Sequence, residues 1–456
     1  MALIVFSLFA YVSVLEYSYR DIVAPRFGYL GYIYREPDGF WLSLGFGMMV
    51  LTALLLPRLL SRGSHVVVWM LFVVVLVPIA QIPYFGSSLA PAHVFGYSTF
   101  AAILLLVTSR LSGTAMFRSI VPLASGRSTA FWLVLLVISV TTYSFSFAVF
   151  GFRLEIMSVF DVASTRLEYR DEVAPNVPLL GYLVSNQGNI INPLLISIGV
   201  ARRRWLLVAA GTFGQLLLYS VTGYRTALLS IVVCLMVSLI LRKRKSIWGG
   251  ALLMGTMILA WGSVVIDRFF ALGAVDLIVN RMLITAGHLT PHYLEVYADK
   301  QWHYWAYSFL GWIVEDPHEL SPGFYVSVIA FGRPDIQSNA NLFADGYANL
   351  GYVGVAIEAS FLVFVLLLIN SASRGLPMQI VLPTLILPAF ALSNGSPFTA
   401  FLSFGFALAV VMFALMPRDV ALAPRGARKS DGRVRIADES GLVESTALSQ
   451  QKGKSR

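Results

Sequence analysis

Long uninterrupted apolar runs recur from one end of this chain to the other. GMMVLTALLL, VVVWMLFVVVLV, FWLVLLVISV, ALLSIVVCLMVSLIL and FLVFVLLLI each sit in a stretch long enough to cross a hydrocarbon core of about 30 Å as a helix. Inside lipid every backbone N–H and C=O must find a partner within the protein, which leaves helices or closed barrels. Barrel strands alternate apolar and polar residues, and these runs do not. The expected fold is therefore all-α: a polytopic transmembrane helix bundle of roughly a dozen helices. Composition agrees, because 57% of the 456 residues are hydrophobic and 12% are charged. A soluble domain carries about a quarter charged residues. The expected helices are 1–17, 40–57, 66–83, 91–109, 129–150, 178–200, 204–221, 225–241, 248–266, 351–370, 376–393 and 398–416. The first of them, MALIVFSLFAYVSVLEY, lacks a basic leader and a small-residue cleavage site, so it reads as a retained, short helix. The single cysteine, Cys234, lies in an apolar run and reads as a packing residue.

Arginine and lysine in short loops set the orientation of such a bundle. One alternate set of loops carries Arg58 and Arg62; Arg110, Arg118 and Arg127; Arg202, Arg203 and Arg204; Arg242, Lys243, Arg244 and Lys245; and Arg374. None of these loops holds an acid. That side reads as cytoplasmic, which places both termini in the cytoplasm. Residues 1–416 form the expected membrane domain, and 417–456 read as a disordered basic cytoplasmic tail, poor in aromatics. The net charge of +9 is explained by these loops and by contact with anionic lipid heads. Nothing in the pattern calls for a nucleic-acid partner.

The remaining loops, 18–39, 84–90, 151–177, 222–224, 267–350 and 394–397, then face outward. They hold almost every acid outside the tail, and also arginines that orientation does not require. Arg225 is the sharpest case. It follows Thr222-Gly223-Tyr224 at a tight hairpin and opens the next apolar helix. It can snorkel to the interface or offer a planar fork of donors to a phosphate. YRDIVAPRFGYLGY at 19–32 and YRDEVAPNVPLLGY at 169–182 match in register, which suggests a duplicated four-helix unit or a shared interfacial turn. Arg170 in the second copy is a candidate for a lipid head. Ser185, Asn186, Gln187, Asn189 and Asn192 crowd one helix, so that face must meet protein or a water-filled groove. Glu358 is an intramembrane carboxyl, read as functional or as a helix-packing hydrogen bond. The long loop is dense in titratable groups and aromatics, so it is expected to be structured and functional. Its Trp302, Trp305, Tyr307 and Trp312 can stack on sugars or anchor at the interface. His288 and His292 stand four apart, too weak a signal for zinc without a following Glu, and no metal is expected. No glycine-rich nucleotide loop is present, and no cofactor is expected.

TGYRTALL at 222–229 and SNANLFADGYANLGYVG at 338–354, with this layout, resemble the Wzy-type polymerases of O-antigen and exopolysaccharide repeat units. The likeness runs over roughly residues 200 to 450, and the earlier helices match in type only. In that family Gly-x-Arg opens a helix on the outer side, and a large outer loop ends in a polar segment before Gly-x-x-Gly, here Gly351 and Gly354. The resemblance implies a bacterial inner-membrane glycosyltransferase acting on polyprenyl-diphosphate-linked oligosaccharides, with a chain-length-regulating protein as a further partner. It would place Arg225, Arg281, Arg333 and Arg170 on the diphosphate. His288 first and Asp345 second would serve as base, with Asn341, Asp345 and Asn349 on the sugar. O-antigen ligases share the large outer loop and remain an alternative. A lipid-linked oligosaccharide flippase is another, although a carrier should line the full depth of its helices with polar groups.

Overall fold

The computed structural model describes residues 1–114, 119–123, 129–151, 169, 177–242 and 247–418. Nearly every stretch expected to be helical is helical, with ends shifted by a few residues. Examples are Pro91–Ser112, Thr129–Phe150, Trp205–Thr222 and Arg225–Leu241. Eight helices are long and apolar enough to cross a membrane: Ala2–Leu30, Gly63–Gly86, Pro91–Ser112, Thr129–Phe150, Trp205–Thr222, Gly250–Phe270, Leu342–Ala372 and Pro397–Leu415. The chain is thus a multi-pass membrane protein by helix length and composition, with eight candidate spans among the described residues rather than a dozen. Gly39–Leu55 and Arg225–Leu241 are apolar but only 17 residues long, and Met378–Ala391 only 14. At 1.5 Å per residue, 17 residues cover about 26 Å, just short of a hydrocarbon core.

Helix Gly63–Gly86 is the centre of the bundle, and its whole apolar window is buried. Gly63 permits this: a Cβ there would lie 2.6 Å from Ile369 and 2.9 Å from Leu385. Thr129–Phe150 is the opposite case, with Leu133, Leu136, Val137 and Val140 exposed. Such a face is stable only against lipid, and lipid does not drive the helices together as water would. Packing and internal hydrogen bonds must do so instead.

The polar helix is held in that way. Its polar residues surround a π-helical turn, Gln187–Ile191, between Pro178–Asn186 and Asn192–Arg202. Gln187 Nε2 donates to Ser139 Oγ (3.1 Å) and Asn192 Oδ1 (2.9 Å), and Gln215 Nε2 donates to Gly188 O (2.7 Å) and Ser230 Oγ (2.8 Å). Asn186 and Asn189 donate to the carbonyls of Leu402 and Phe404. Of the two surroundings open to this face, protein or a water-filled groove, these side chains meet protein.

The two loop sets separate to two ends of the bundle. At one end a short antiparallel bridge pairs Leu59 with Trp248 and Leu60 with Ile247. There Arg62 Nη1 donates to Gly113 O (2.6 Å), Asn370 Nδ2 to Ser112 O (2.8 Å) and Arg374 Nη1 to Ser119 Oγ (2.5 Å). The basic loops around 58, 113, 247 and 374 therefore converge. At the other end Arg35 N donates to Phe85 O (2.8 Å), Ser88 Oγ to Glu295 (2.9 Å), and Arg26 pairs with Asp276 (2.7 Å). The expected disordered tail, apart from 417 and 418, and most of the 151–177 loop lie outside the described residues.

Candidate active site

The loop-rich end is organised by one broken helix. Leu342–Ala372 is two helical limbs joined by a kink at Leu350 (φ −163°) and Gly351 (φ 57°, ψ −145°), the latter a conformation only glycine adopts without strain. The break folds 342–349 back on the following turn, and Gly346 and Gly354 let the backbones touch. A Cβ on Gly354 would stand 2.0 Å from the carbonyl oxygen of Gly346. The consequence is chemical. Asp345 and Glu358 are thirteen positions apart and would be about 20 Å apart along an unbroken helix. Here their carboxyls interact directly.

Around that pair lies a closed polar network. Tyr307 Oη donates to Asp345 Oδ2 (2.6 Å), as does Asn349 Nδ2 (3.1 Å). Asn349 Oδ1 accepts from Trp305 N (2.6 Å), and Trp305 Nε1 donates to Glu358 Oε1 (2.9 Å). Glu358 is 0% exposed and Asp345 is 8% exposed, so both carboxyls are buried and Asp345 is the less completely enclosed of the two. Tyr304 and Trp305 both hold positive φ, 51° and 58°. Two consecutive left-handed non-glycine residues cost on the order of 1–3 kcal/mol each, and such strain clusters at functional sites.

One turn of loop away, His303 is fully buried between two partners. Its Nδ1 lies 3.0 Å from Asp316 Oδ1, and its Nε2 lies 2.7 Å from Tyr297 Oη. A carboxylate only accepts, so Nδ1 carries the proton and Nε2 accepts from the tyrosine. Burial lowers the His303 pKa, against the opposing pull of Asp316. Burial raises Tyr297, reinforced by Asp345, and raises Tyr307 for the same two reasons. The His303–Asp316 pair is the feature that the sequence does not reveal. Its members are thirteen residues apart in irregular chain, with no period to connect them.

The remaining sequence candidates fall in several places. Asn341 caps its helix: Oδ1 accepts from the backbone of Phe343 (3.0 Å) and Ala344 (3.3 Å), while Nδ2 donates to Ala286 O and Thr290 Oγ1. Asn349 is likewise fully engaged and 0% exposed. Neither amide has a group left for a sugar, so both are structural. Asn341→Ala is expected to lower stability by about 1–3 kcal/mol, read by thermal unfolding in detergent.

His288 sits on the far face of Thr285–Val296 from Asp345. Residues 288, 292 and 295 share one helical face, and 286, 290, 293 and 297 share the other. His288 stacks on Tyr32 at 3.6 Å, its Nε2 donates to Leu30 O (3.1 Å), and it is 1% exposed. Burial, with His292 beside it, pushes its pKa from 6.5 down to about 3. Such an imidazole is neutral and a poor proton acceptor, which counts against His288 as a base. The same shift has a consequence for stability. The unfolded chain takes a proton near 6.5 and the folded one only near 3, so folding stability is full above 6.5 and falls as pH drops from there toward 3. His288→Gln is expected to flatten the acid side of a thermal-stability profile between pH 7 and 5. An unchanged slope would remove His288 as its source.

Arg281 lies close enough to Tyr32 to act on its phenol, and Arg333 stands over Tyr29 at 6.0 Å while paired with Asp335 (2.6 Å). Both therefore border the His288 cluster. Arg225 opens its helix beside Tyr224, which packs against Tyr169 at 5.6 Å, and its buried Nε has no hydrogen-bond partner. Arg170 lies outside the described residues. No protein-family model, no curated protein and no solved structure matches this chain.

Proposed function

We propose that this chain polymerises polyprenyl-diphosphate-linked oligosaccharide repeat units at the outer leaflet of a bacterial inner membrane, with both termini in the cytoplasm. The observation that carries the reading is Asp345, the less enclosed carboxyl of a buried carboxyl, tyrosine and tryptophan network built at the loop-rich end of a membrane bundle. Trp302 beside it is partly exposed and offers a flat face of the kind on which sugars stack, and Arg281 and Arg333 at the same end carry charge for a diphosphate.

In this reading an acceptor hydroxyl of the incoming unit gives its proton to Asp345, and its oxygen forms the new bond to the anomeric carbon of the growing chain. The bond from that carbon to the diphosphate oxygen breaks, and the electron pair leaves with polyprenyl diphosphate. Arg281, Arg333 and Arg225 stabilise the charge that develops there. The leaving group carries the driving force, so no nucleotide is consumed.

Reconstitution with a purified polyprenyl-diphosphate oligosaccharide tests the proposal. Products should lengthen by whole repeat units without nucleotide and release polyprenyl diphosphate. Transfer only to a different lipid acceptor would favour a ligase, and transbilayer movement without lengthening would favour a flippase; either defeats the polymerase reading. Arg225→Ala should insert normally yet lose most elongation, and Arg225→Lys should recover little of it, because a single ammonium does not reproduce a bidentate fork. Sidedness has its own check. Cys234 is buried, so an impermeant maleimide applied to intact cells should label Asp299→Cys and spare Arg58→Cys. The reverse pattern would invert the proposed orientation.

A further inference from the structure

Three adjoining cavities lie at the basic end of the bundle, away from Asp345. A cavity of about 500 Å³ is lined by Arg58, Arg62, His65, Ser109 and Arg110. A second, of about 350 Å³, shares Ser61 and Arg62 with it and adds Ser112, Asn370 and Arg374. A third, of about 420 Å³, shares Leu54, Leu56 and Arg58 with the first and is otherwise apolar, lined by Ile4, Ala53, Trp69 and Trp248. Three adjoining rooms thus run from a polar, arginine-lined basin into an apolar one, with Arg58 at the threshold.

No acidic residue lines the cavity that holds Arg58, Arg62 and Arg110. No Asp or Glu occurs between residues 39 and 154, 173 and 266, or 359 and 418, and these stretches supply nearly the whole lining. Orientation signals explain why arginine is present on this side of a bundle, but they do not require that arginines line a recess between helices. Arg62 is fixed in place by the Gly113 carbonyl, which keeps its charge in the recess. Arg58 is exposed, and among the described residues its guanidinium has no acceptor.

We infer that this recess binds an anionic phospholipid, with the phosphate among Arg58, Arg62 and Arg110 and an acyl chain in the apolar room beside Trp69 and Trp248. A phosphate is the anion that guanidinium forks match best, and basic recesses between transmembrane helices suit acidic lipid heads. The attached apolar room selects a lipid over a free phosphate, because inorganic phosphate has no use for it. Exposed Arg58 and Arg110 grip the head, and the rigid Arg62 sets its depth.

Native mass spectrometry of the full chain released from detergent measures the outcome. Phosphatidylglycerol should remain bound at one or two copies under activation that strips phosphatidylcholine. Arg58→Gln with Arg110→Gln should cut retention of phosphatidylglycerol at least tenfold while leaving the unfolding temperature near that of the parent, since Arg110 loses only one long, exposed hydrogen bond to Leu55 O (3.4 Å) and Arg58 has no partner to lose. Ala53→Phe, which fills the apolar room, should weaken lipid retention by a similar factor. Equal retention of the two lipids overturns the proposal, as does full retention in the double arginine variant. Stabilisation by millimolar inorganic phosphate equal to that by phosphatidylglycerol, insensitive to Ala53→Phe, overturns the lipid as the occupant.

Discussion

Asp345→Asn should abolish chain elongation, by about two to four orders of magnitude as expected for loss of a general base, while leaving the bundle folded. The amide matches the carboxyl in size, and its oxygen can still accept from Tyr307, whose Oη lies 2.6 Å from Asp345 Oδ2. What it cannot do is take a proton. The contrast with His288 makes the result diagnostic. His288→Gln should keep elongation within a few-fold of the parent, because His288 lies on the opposite face of Thr285–Val296 and its Nε2 is committed to Leu30 O. His303→Asn should fall between the two: it acts on Tyr297, not on substrate, and so should move the pH profile of elongation more than the affinity for the lipid-linked unit. Elongation by Asp345→Asn at the parental rate would sink the assignment of the base. Loss in His288→Gln alone would make His288 the base.

Much of the fold was legible because membrane helices write their length and polarity directly into the chain. Thr129–Phe150 and Arg225–Leu241 have the ends that their apolar runs suggest. The convergence of Arg62, Gly113, Trp248 and Arg374 at one end follows the loop charge pattern. The number of spans was less legible, because Gly39–Leu55 and Met378–Ala391 are apolar without being long. The site was legible only in part. Glu358 stands out as an intramembrane carboxyl, Asp345 as a candidate base and Trp305 as a residue that can stack on sugars or anchor at the interface, but nothing local says that they meet. Their meeting depends on a helix break at Gly351 and on two strained residues, Tyr304 and Trp305, and a three-dimensional fold-back has no period to detect. Asn341 and Asn349 misled for the converse reason. A polar residue near a loop reads the same whether it faces a sugar or a helix end, and only the bonds of Asn341 to Phe343, Ala344 and Thr290 decide it.

The glycines at the fold-back should then be as consequential as the carboxyl itself. Gly354→Ala places a methyl 2.0 Å from the carbonyl oxygen of Gly346, and that neighbour is backbone and cannot rotate away. The two limbs of the helix must separate, which draws Asp345 from Glu358 and strips Trp305 and Asn349 of the geometry that joins them. Gly351→Ala acts differently. It leaves the limbs in contact but forces a Cβ into φ 57°, ψ −145°, at about 1–3 kcal/mol. If the break instead anneals into regular helix, the carboxyls move to opposite ends of a segment about 20 Å long. Both variants should retain helical circular dichroism and membrane insertion, since glycine to alanine leaves the Leu342–Ala372 span as apolar as before. Both should lose elongation, Gly354→Ala at least a hundredfold, together with a lower unfolding temperature. A tyrosine or tryptophan signal that is unchanged in Gly354→Ala, with parental elongation, would show that the fold-back is incidental to the chemistry. Loss of elongation with helicity and insertion intact would tie the activity to the meeting of two carboxyls that only a broken helix allows.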